Sequence, residues 1–292
     1  MQLIVNALIA GSLAALIAGG LSLVYGVMNI FNLALGQMVL MGGYGAWWFQ
    51  STLGWPLLPS ILGGFAFGAF VSWITFQVAV APFYKRHRQL PLVTTIAFGM
   101  ILDAFILLFF EERPRRILSG AERVLSVAGA RMSIEQIILV MATILLLAFF
   151  AYILHGTSLG RKIRAVVQHD SAAMSLGIRA PTLDLLLFIS SGLLAAAGGI
   201  FIGIDQNLSP VLAFPLMIKA YAAVIAGGRG NLWGTIVVAY LIALLEQLVV
   251  GVHWFGRFYI SAGFQSSVAL FFIIAFLLFR PMGIFSTQSR TA

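Results

Sequence analysis

The chain has 292 residues, of which 61% are hydrophobic and only 9% are charged. Because a soluble domain of average composition carries about 25% charged residues, this chain could not cover a globular surface in water, and we predict a polytopic membrane protein. The formal net charge of +8 is typical of lysines and arginines kept on the cytoplasmic side of a membrane, so it does not indicate nucleic-acid binding.

Long apolar runs follow one another along the whole chain. Since about 20 apolar residues cross a bilayer core as a helix, we predict one all-α transmembrane domain, residues 1–292, with about eight or nine spans. No basic residue precedes Lys85, so the first run is predicted to be a span and not a signal peptide. The segments 28–50 and 212–228 are glycine-rich or short, and each is predicted either to span or to form a broken or re-entrant helix. The predicted spans are 3–25, 28–50, 57–81, 92–110, 134–154, 181–203, 212–228, 232–251 and 259–279.

The lysines and arginines between these spans predict the orientation of the chain. Segments on one side of the membrane carry ten of them and segments on the other side carry six, which places 155–180 in the cytoplasm. The segment 111–133 then lies outside, as a hairpin whose arginines and glutamates pair in water. Three spans before Lys85 would put the N-terminus outside, and two would put it inside.

Five ionisable residues lie within or near the spans, where charge is costly and usually faces a bundle interior or water. Those near span ends, Asp184 and Asp205, are predicted to be solvated at the membrane interface. Asp103, Lys219 and Glu246 lie deeper. For these three, a functional role and a structural ion pair or helix-to-helix hydrogen bond both remain open.

A polar insert at 157–179 interrupts the apolar pattern and predicts two short amphipathic helices outside the membrane. Asp170 is predicted to be the N-cap of a helix over 171–176, and Gly177 is predicted to end it. One interpretation is that these helices rest on lipid headgroups. The other is that the flat alanine-glycine surface at 172–177 docks a protein.

Catalytic signatures are missing from the sequence. The glycine cluster GGRGNLWG (227–234) lacks the lysine and serine of a phosphate-binding loop, and there is no G-x-S-x-G elbow. No His-x-x-x-His pair occurs, and the chain has no cysteine, which excludes disulfides and thiolate metal sites. We therefore predict no catalytic residue, no metal site and no bound cofactor, and the scattered carboxylates make a poor proton relay.

Three blocks of sequence resemble a known family. Ser171-Ala172-Ala173-x-x-x-Gly177 is similar to the Glu-Ala-Ala-x-x-x-Gly coupling loop of ABC importer permeases, with serine where glutamate is usual. Almost the whole chain resembles the permease subunit of branched-chain amino acid ABC importers of the leucine/isoleucine/valine type. The blocks are GLSLVYGVMNIFNLALGQMVLMGGY (20–44), LGRKIRAVVQHDSAAMSLGI (159–178) and MIKAYAAVIAGGRGNLWGTIVVAYLIALLE (217–246).

The chain departs from this family at three positions. Asn32-Leu33-Ala34-Leu35-Gly36 lacks the histidine that commonly follows the asparagine, and Arg229 replaces the usual small residue after the double glycine. Because Ser171 stands in place of the usual glutamate, the resemblance does not imply a salt bridge from this position to an ATPase.

The resemblance implies a multi-pass permease of a bacterial-type inner membrane. Its implied partners are a second permease in a heterodimer, two cytoplasmic ABC ATPases that bind ATP and Mg²⁺, and an external solute-binding protein. Branched-chain or aliphatic amino acids are the implied substrates. Urea, short amides or aromatic acids, which related permeases transport, are alternative substrates. A secondary carrier that works without an ATPase is an alternative function from another class of transport protein.

The resemblance also implies two sets of site residues. ATPase coupling falls on the polar insert, and the translocation path falls on the glycine-rich and asparagine-rich blocks at the interface between two permeases. The coupling residues are Arg161, Arg164, Asp170, Ser171, Ala172, Ala173 and Gly177, and the path residues are Asn29, Asn32, Gly36, Lys219, Gly227, Gly228 and Glu246.

Overall fold

The computed structural model describes residues 1–84, 89–118, 124–127, 130–228 and 230–251, together with single residues at 267, 271, 274, 275, 278 and 283. The described part is built almost entirely of helices, which confirms the predicted fold class. A two-stranded antiparallel hairpin, β1 and β2, joins α4 to α5. The elements are α1 Gln2–Met28, α2 Leu35–Ser51, α3 Leu57–Thr75 with a π-helical turn Phe76–Val80, α4 Leu90–Phe110, β1 Val124–Val127, β2 Ala130–Ser133, α5 Ile134–Gly156, α6 Ser158–Gln168, α7 Asp170–Ser175, α8 Ala180–Asp205, a 3-10 turn Pro210–Leu212, α9 Ala213–Gly227 and α10 Leu232–Gly251.

Seven of the described segments are long and apolar enough to cross a membrane. An eighth apolar helix, α2, has 17 residues, which is about 25 Å at 1.5 Å per residue and lies at the short end of the range for membrane-crossing helices. The chain is not helical between the end of α1 at Met28 and the start of α2 at Leu35, so the broken form of the predicted segment 28–50 is the one observed. The predicted span 259–279 lies outside the continuously described ranges.

Helices α1, α2 and α8 form the interior of the bundle, and the other spans surround them. Within their most apolar stretches, 83% of α1 and 72% of α8 is buried, against 22% of α4. Small residues permit this close packing: a Cβ on Gly42 or Gly68 would collide with Ala196, and one on Gly199 would collide with the carbonyl of Val39.

The N-terminus lies on the same side of the bundle as the β1–β2 hairpin. The side chain of Gln2 accepts a hydrogen bond from the Arg131 amide at 2.8 Å and donates one to the Arg131 carbonyl at 3.1 Å. Helix α5 leads from the hairpin to α6 and α7 at its other end. The N-terminus is therefore opposite the polar insert, which selects the arrangement with three passes before Lys85.

The segment that follows α4 pairs its charges as predicted, and it also binds the end of α8. The Glu111 carboxylate lies 3.5 Å from Arg113 and 3.6 Å from Arg115. The Arg115 amide donates to the Leu208 carbonyl at 3.0 Å and the Ile117 amide to the Gly203 carbonyl at 2.8 Å. This segment thus covers the end of the central helix α8 in addition to facing solvent.

The solvated position predicted for Asp184 is wrong. Its residue is only 5% exposed, and the Tyr84 hydroxyl donates a hydrogen bond to its carboxylate. Asp205 does lie at the end of its helix, but it is not held by solvation alone, because Gln136 donates a hydrogen bond to its carboxylate at 2.9 Å. Both carboxylates therefore join elements distant in sequence.

Candidate functional site

The polar insert forms two helices, as predicted, held close to the end of α5. The Thr157 hydroxyl caps α6 by accepting from the Gly160 amide at 3.3 Å. A Cβ on Gly160 would collide with the Leu154 carbonyl, and Ile163 is 5% exposed. One face of α6 is thereby fixed against the bundle.

Helix α7 begins one residue earlier than the sequence predicted. Asp170 is its first helical residue, and the N-cap is His169, which makes no side-chain capping bond. The prediction that Asp170 is the N-cap is therefore wrong. The reason lies in the backbone: His169 is extended at φ −151° and its carbonyl already accepts from the Ala173 amide at 3.0 Å.

Gly177 ends α7 in the way predicted. Its φ is +82°, its amide donates to the Met174 carbonyl at 3.0 Å, and the Ile178 amide donates to the Ala173 carbonyl at 3.1 Å. These two bonds form a Schellman motif. The short helix therefore has a defined C-terminal end.

The alanine pair of the insert is split between two environments. Ala173 is 2% exposed and packs within the chain, so its side chain does not form part of an outer surface. Ala172 is exposed, and beside it Met174 is 46% and Leu176 81% exposed. Met174 and Leu176 therefore form a small exposed apolar patch at the C-terminal end of α7, next to the exposed Ser171 and Ser175, and it lies beyond the ends of the spans.

The basic residues of the insert have no acidic partners among the described side chains. None of Arg161, Lys162, Arg164 and Arg179 makes an ion pair there. Arg164 donates to the Leu154 carbonyl at 2.5 Å, so its guanidinium is turned toward the end of α5.

A helix break separates α1 from α2. Asn29 ends α1 with a left-handed backbone at φ +52°, and it is exposed. Asn32 is 1% exposed, and its side-chain oxygen accepts from the Ala34 amide at 3.2 Å. Asn32 thus satisfies one backbone group released by the break.

A second break precedes α9, and the two breaks meet. The chain leaves α8, makes the 3-10 turn Pro210–Leu212 and starts α9 at Ala213. A Cβ on Gly36 would collide with the Ala213 carbonyl, so the first turns of α2 and α9 are in direct contact.

Polar side chains gather at the start of α2. Gln37 donates to the Asp103 carboxylate at 3.0 Å, and Thr95 accepts from the Leu33 amide at 3.1 Å. The side-chain oxygen of Gln37 is buried and has no hydrogen-bond partner in the described part of the chain. Asp103 therefore makes the helix-to-helix hydrogen bond that was one of its two predicted roles.

Two of these residues, Gln37 and Thr95, were not among the predicted path residues. Each is a single polar residue inside an apolar run, which in a spanning segment indicates a packed interior or a water-filled surface. That signal was available at Gln37, one residue beyond the predicted Gly36.

The remaining predicted path residues form two separate groups. Lys219 on α9 and Glu246 on α10 form an ion pair at 2.9 Å, with side chains 23% and 3% exposed, which confirms that they pair. Gly227 and Gly228 form the turn between these helices, where Gly228 has φ +101° and a Cβ on Gly227 would lie 2.6 Å from the Thr235 nitrogen. Gly227 and Gly228 are both buried, so these two glycines are packing features and not an open surface.

Comparison with known proteins matches nearly the entire chain. The family described as the permease component of the branched-chain amino acid transport system matches residues 3–280. The chain is 28% identical to the high-affinity branched-chain amino acid transport system permease protein BraD of Pseudomonas aeruginosa, over 97% of this chain and 95% of that protein.

Two further relatives have similar coverage. The permease protein LivH of Escherichia coli, from a high-affinity branched-chain amino acid transport system, is 24% identical over 97% of this chain and 94% of its own. A probable branched-chain amino acid transport permease protein LivH of Methanocaldococcus jannaschii is 28% identical over 96% of this chain and 90% of its own.

Proposed function

The chain belongs to the branched-chain amino acid transport permease family, and from that premise we propose that it imports branched-chain amino acids as the membrane subunit of an ATP-driven transporter. It is a multi-pass protein of the inner membrane. Its relatives are transport subunits. We propose that ATP and Mg²⁺ bind separate ATPase subunits and that a second permease and an external solute-binding protein complete the transporter.

The observation that carries this proposal is the exposed apolar end of α7, formed by Met174 and Leu176 next to the basic residues of the insert and outside the spans. Met174 and Leu176 are strongly exposed there, beyond the ends of the spans. A rigid helix with an exposed apolar end fits a cleft on a partner protein. ATP-driven closure of the ATPases would displace this helix and bias the bundle between two states.

The proposed path passes the meeting point of the two helix breaks. Non-helical backbone within a membrane is tolerated where protein or a water-filled cavity covers it, and both breaks here bring polar groups with them. The N-terminal end of a half-helix carries partial positive charge that favours a substrate carboxylate. The Asp103 carboxylate, which binds Gln37, would favour the ammonium group of the same amino acid.

The docking proposal is tested by purifying the tagged full chain from native membranes in mild detergent. An ATPase and a second permease should copurify, and Leu176→Glu should lose the ATPase but keep the permease. Leu176 is preferable to Gly177 as a target because its side chain is 81% exposed, so the change leaves the Schellman motif intact. Leu125→Glu is the matched control, since Leu125 is 46% exposed on the hairpin at the opposite end.

Retention of the ATPase by Leu176→Glu, or its loss in both variants, would contradict docking through α7. Uptake then tests the substrate. The complex reconstituted in proteoliposomes should transport leucine only when ATP is present on the side of the membrane that carries the ATPases. Leucine movement by the chain alone would instead identify a secondary carrier, and uptake of urea without leucine would overturn the substrate assignment.

A further inference from the structure

A cavity of about 520 Å³ lies between α6 and the ends of three spans. Leu23 and Val27 of α1, Leu154 of α5 and Trp233 of α10 supply apolar walls, and Arg164 of α6 lies across from them. The cavity is thus enclosed partly by the spans and partly by the polar insert.

The cavity lies at the ends of the spans on the side of the insert, where the headgroup layer of a bilayer would begin. It lies where α1 and α5 end and α10 begins, so its apolar walls continue into the spans. Trp233 is 56% exposed, and an exposed tryptophan at a span end is typical of the membrane–water interface. A ligand in the cavity would therefore contact water at one end and hydrocarbon at the other.

The polar wall of the cavity favours a negative charge. Arg164 has five guanidinium N–H donors, and one nitrogen binds the Leu154 carbonyl at 2.5 Å. His155 and Asn231 also line the cavity, and no aspartate or glutamate is among the lining residues in the described part of the chain. The start of α10 adds the partial positive charge of a helix N-terminus.

We propose that this cavity binds the headgroup phosphate of an anionic phospholipid from the insert-side leaflet. Arg164 would hold the phosphate, as basic pockets between span ends do for anionic headgroups, and Leu23, Val27 and Trp233 would contact the first part of the acyl chains. A lipid with a choline headgroup fits less well, because none of the described lining side chains is a carboxylate that could bind its quaternary ammonium. The bound lipid would join α6 to the bundle ends.

This assignment gives Arg164 a role other than contact with an ATPase. Arg161 lies on the same helix with the same charge but does not line the cavity. Comparing variants of Arg164 and Arg161 therefore distinguishes a specific phosphate site from a general attraction between a basic helix and a negatively charged membrane surface.

The test is native mass spectrometry of the purified full chain titrated with dioleoyl phosphatidylglycerol or dioleoyl phosphatidylcholine. The wild-type chain should retain one phosphatidylglycerol at concentrations about tenfold lower than Arg164→Gln requires, since a hydrogen bond to a charged group is lost. Arg161→Gln should bind like the wild type. Val167→Glu, at a lining residue that is 49% exposed, should also weaken binding by placing a negative charge at the site.

Equal affinity of the wild type and Arg164→Gln, or equal losses in Arg164→Gln and Arg161→Gln, would overturn the proposal. Equally tight binding of phosphatidylcholine would remove the requirement for an anionic lipid. Displacement of the lipid by 10 mM inorganic phosphate would assign the cavity to a soluble phosphate compound instead. Folding of each variant is checked by gel filtration, and Val167→Glu keeps the test valid if Arg164→Gln misfolds.

Discussion

At the scale of single residues, the most informative position is Gly177, because its backbone conformation disfavours a side chain while its surroundings leave room for one. The backbone has φ +82°, yet a Cβ there would meet nothing within 4 Å. Substitution is therefore resisted by conformation alone and not by space. This separates the geometry of the α7 end from any contact that its side chain could make.

We predict that Gly177→Ala destabilises the end of α7 by about 1 kcal/mol, since a non-glycine residue in the left-handed region is strained. Gly177→Asn should cost less, because asparagine adopts this conformation more readily. The measurement is hydrogen exchange at the amides of Gly177 and Ile178, which make the two Schellman bonds. Equal protection in the wild type and both variants would mean that the motif does not hold this end of the helix.

Single residues also mark the limit of what the sequence could predict. The role of Gly177 was predictable because its signal, a glycine after a short alanine-containing helix, is local. The environment of Asp184 was not, since burial there depends on Tyr84, which is distant in the chain. Ala172 and Ala173 look alike in sequence, and only the folded structure distinguishes the exposed Ala172 from the buried Ala173.

At the scale of elements, apolar run length predicted nearly every described span, but it could not choose between the two forms of 28–50. One local contact and two tertiary contacts hold the break. Asn32 accepts from the Ala34 amide two residues on at 3.2 Å, while Thr95 accepts from the Leu33 amide and Gly36 fits against Ala213. Hydrophobic patterning records none of these contacts. The same holds for the polar pair of Gln37 and Asp103, whose partners lie on different helices.

The contact between α2 and α9 gives a prediction about this pair of helices. Gly36→Ala places a methyl group against the backbone carbonyl of Ala213, which has no side-chain freedom to move aside. We expect the variant to show reduced folded yield or, if it folds, at least tenfold slower leucine uptake, because the two helix starts are forced apart. Purified yield and uptake in proteoliposomes are the measurements.

Gly156→Ala is the control for this prediction. A Cβ at Gly156 would lie 3.0 Å from the ring of Tyr152, a side chain that is 67% exposed and can rotate away. It should keep yield and uptake within about twofold of the wild type. Unchanged behaviour of Gly36→Ala would show that the helix starts tolerate separation and would remove the tight crossing from the proposed path.

At the scale of the whole molecule, each proposal depends on which end of the bundle faces the cytoplasm. The structure places the N-terminus and the β1–β2 hairpin at one end and α6 and α7 at the other. The excess of lysine and arginine then predicts that the α6–α7 end faces the cytoplasm. ATPase docking and the lipid site both require this assignment, because ATPases and the more anionic leaflet face the same compartment.

The chain contains no cysteine, so a single introduced cysteine is the only thiol of the chain that a maleimide can label. We predict that Leu125→Cys reacts with a membrane-impermeant maleimide in intact cells, and that Leu176→Cys reacts only after the membrane is opened. Both positions are exposed, at 46% and 81%, so a difference in labelling reflects compartment and not burial. The reverse pattern would place α7 outside, where no ATP-driven partner could reach it, and would overturn the docking proposal even for a chain that transports leucine.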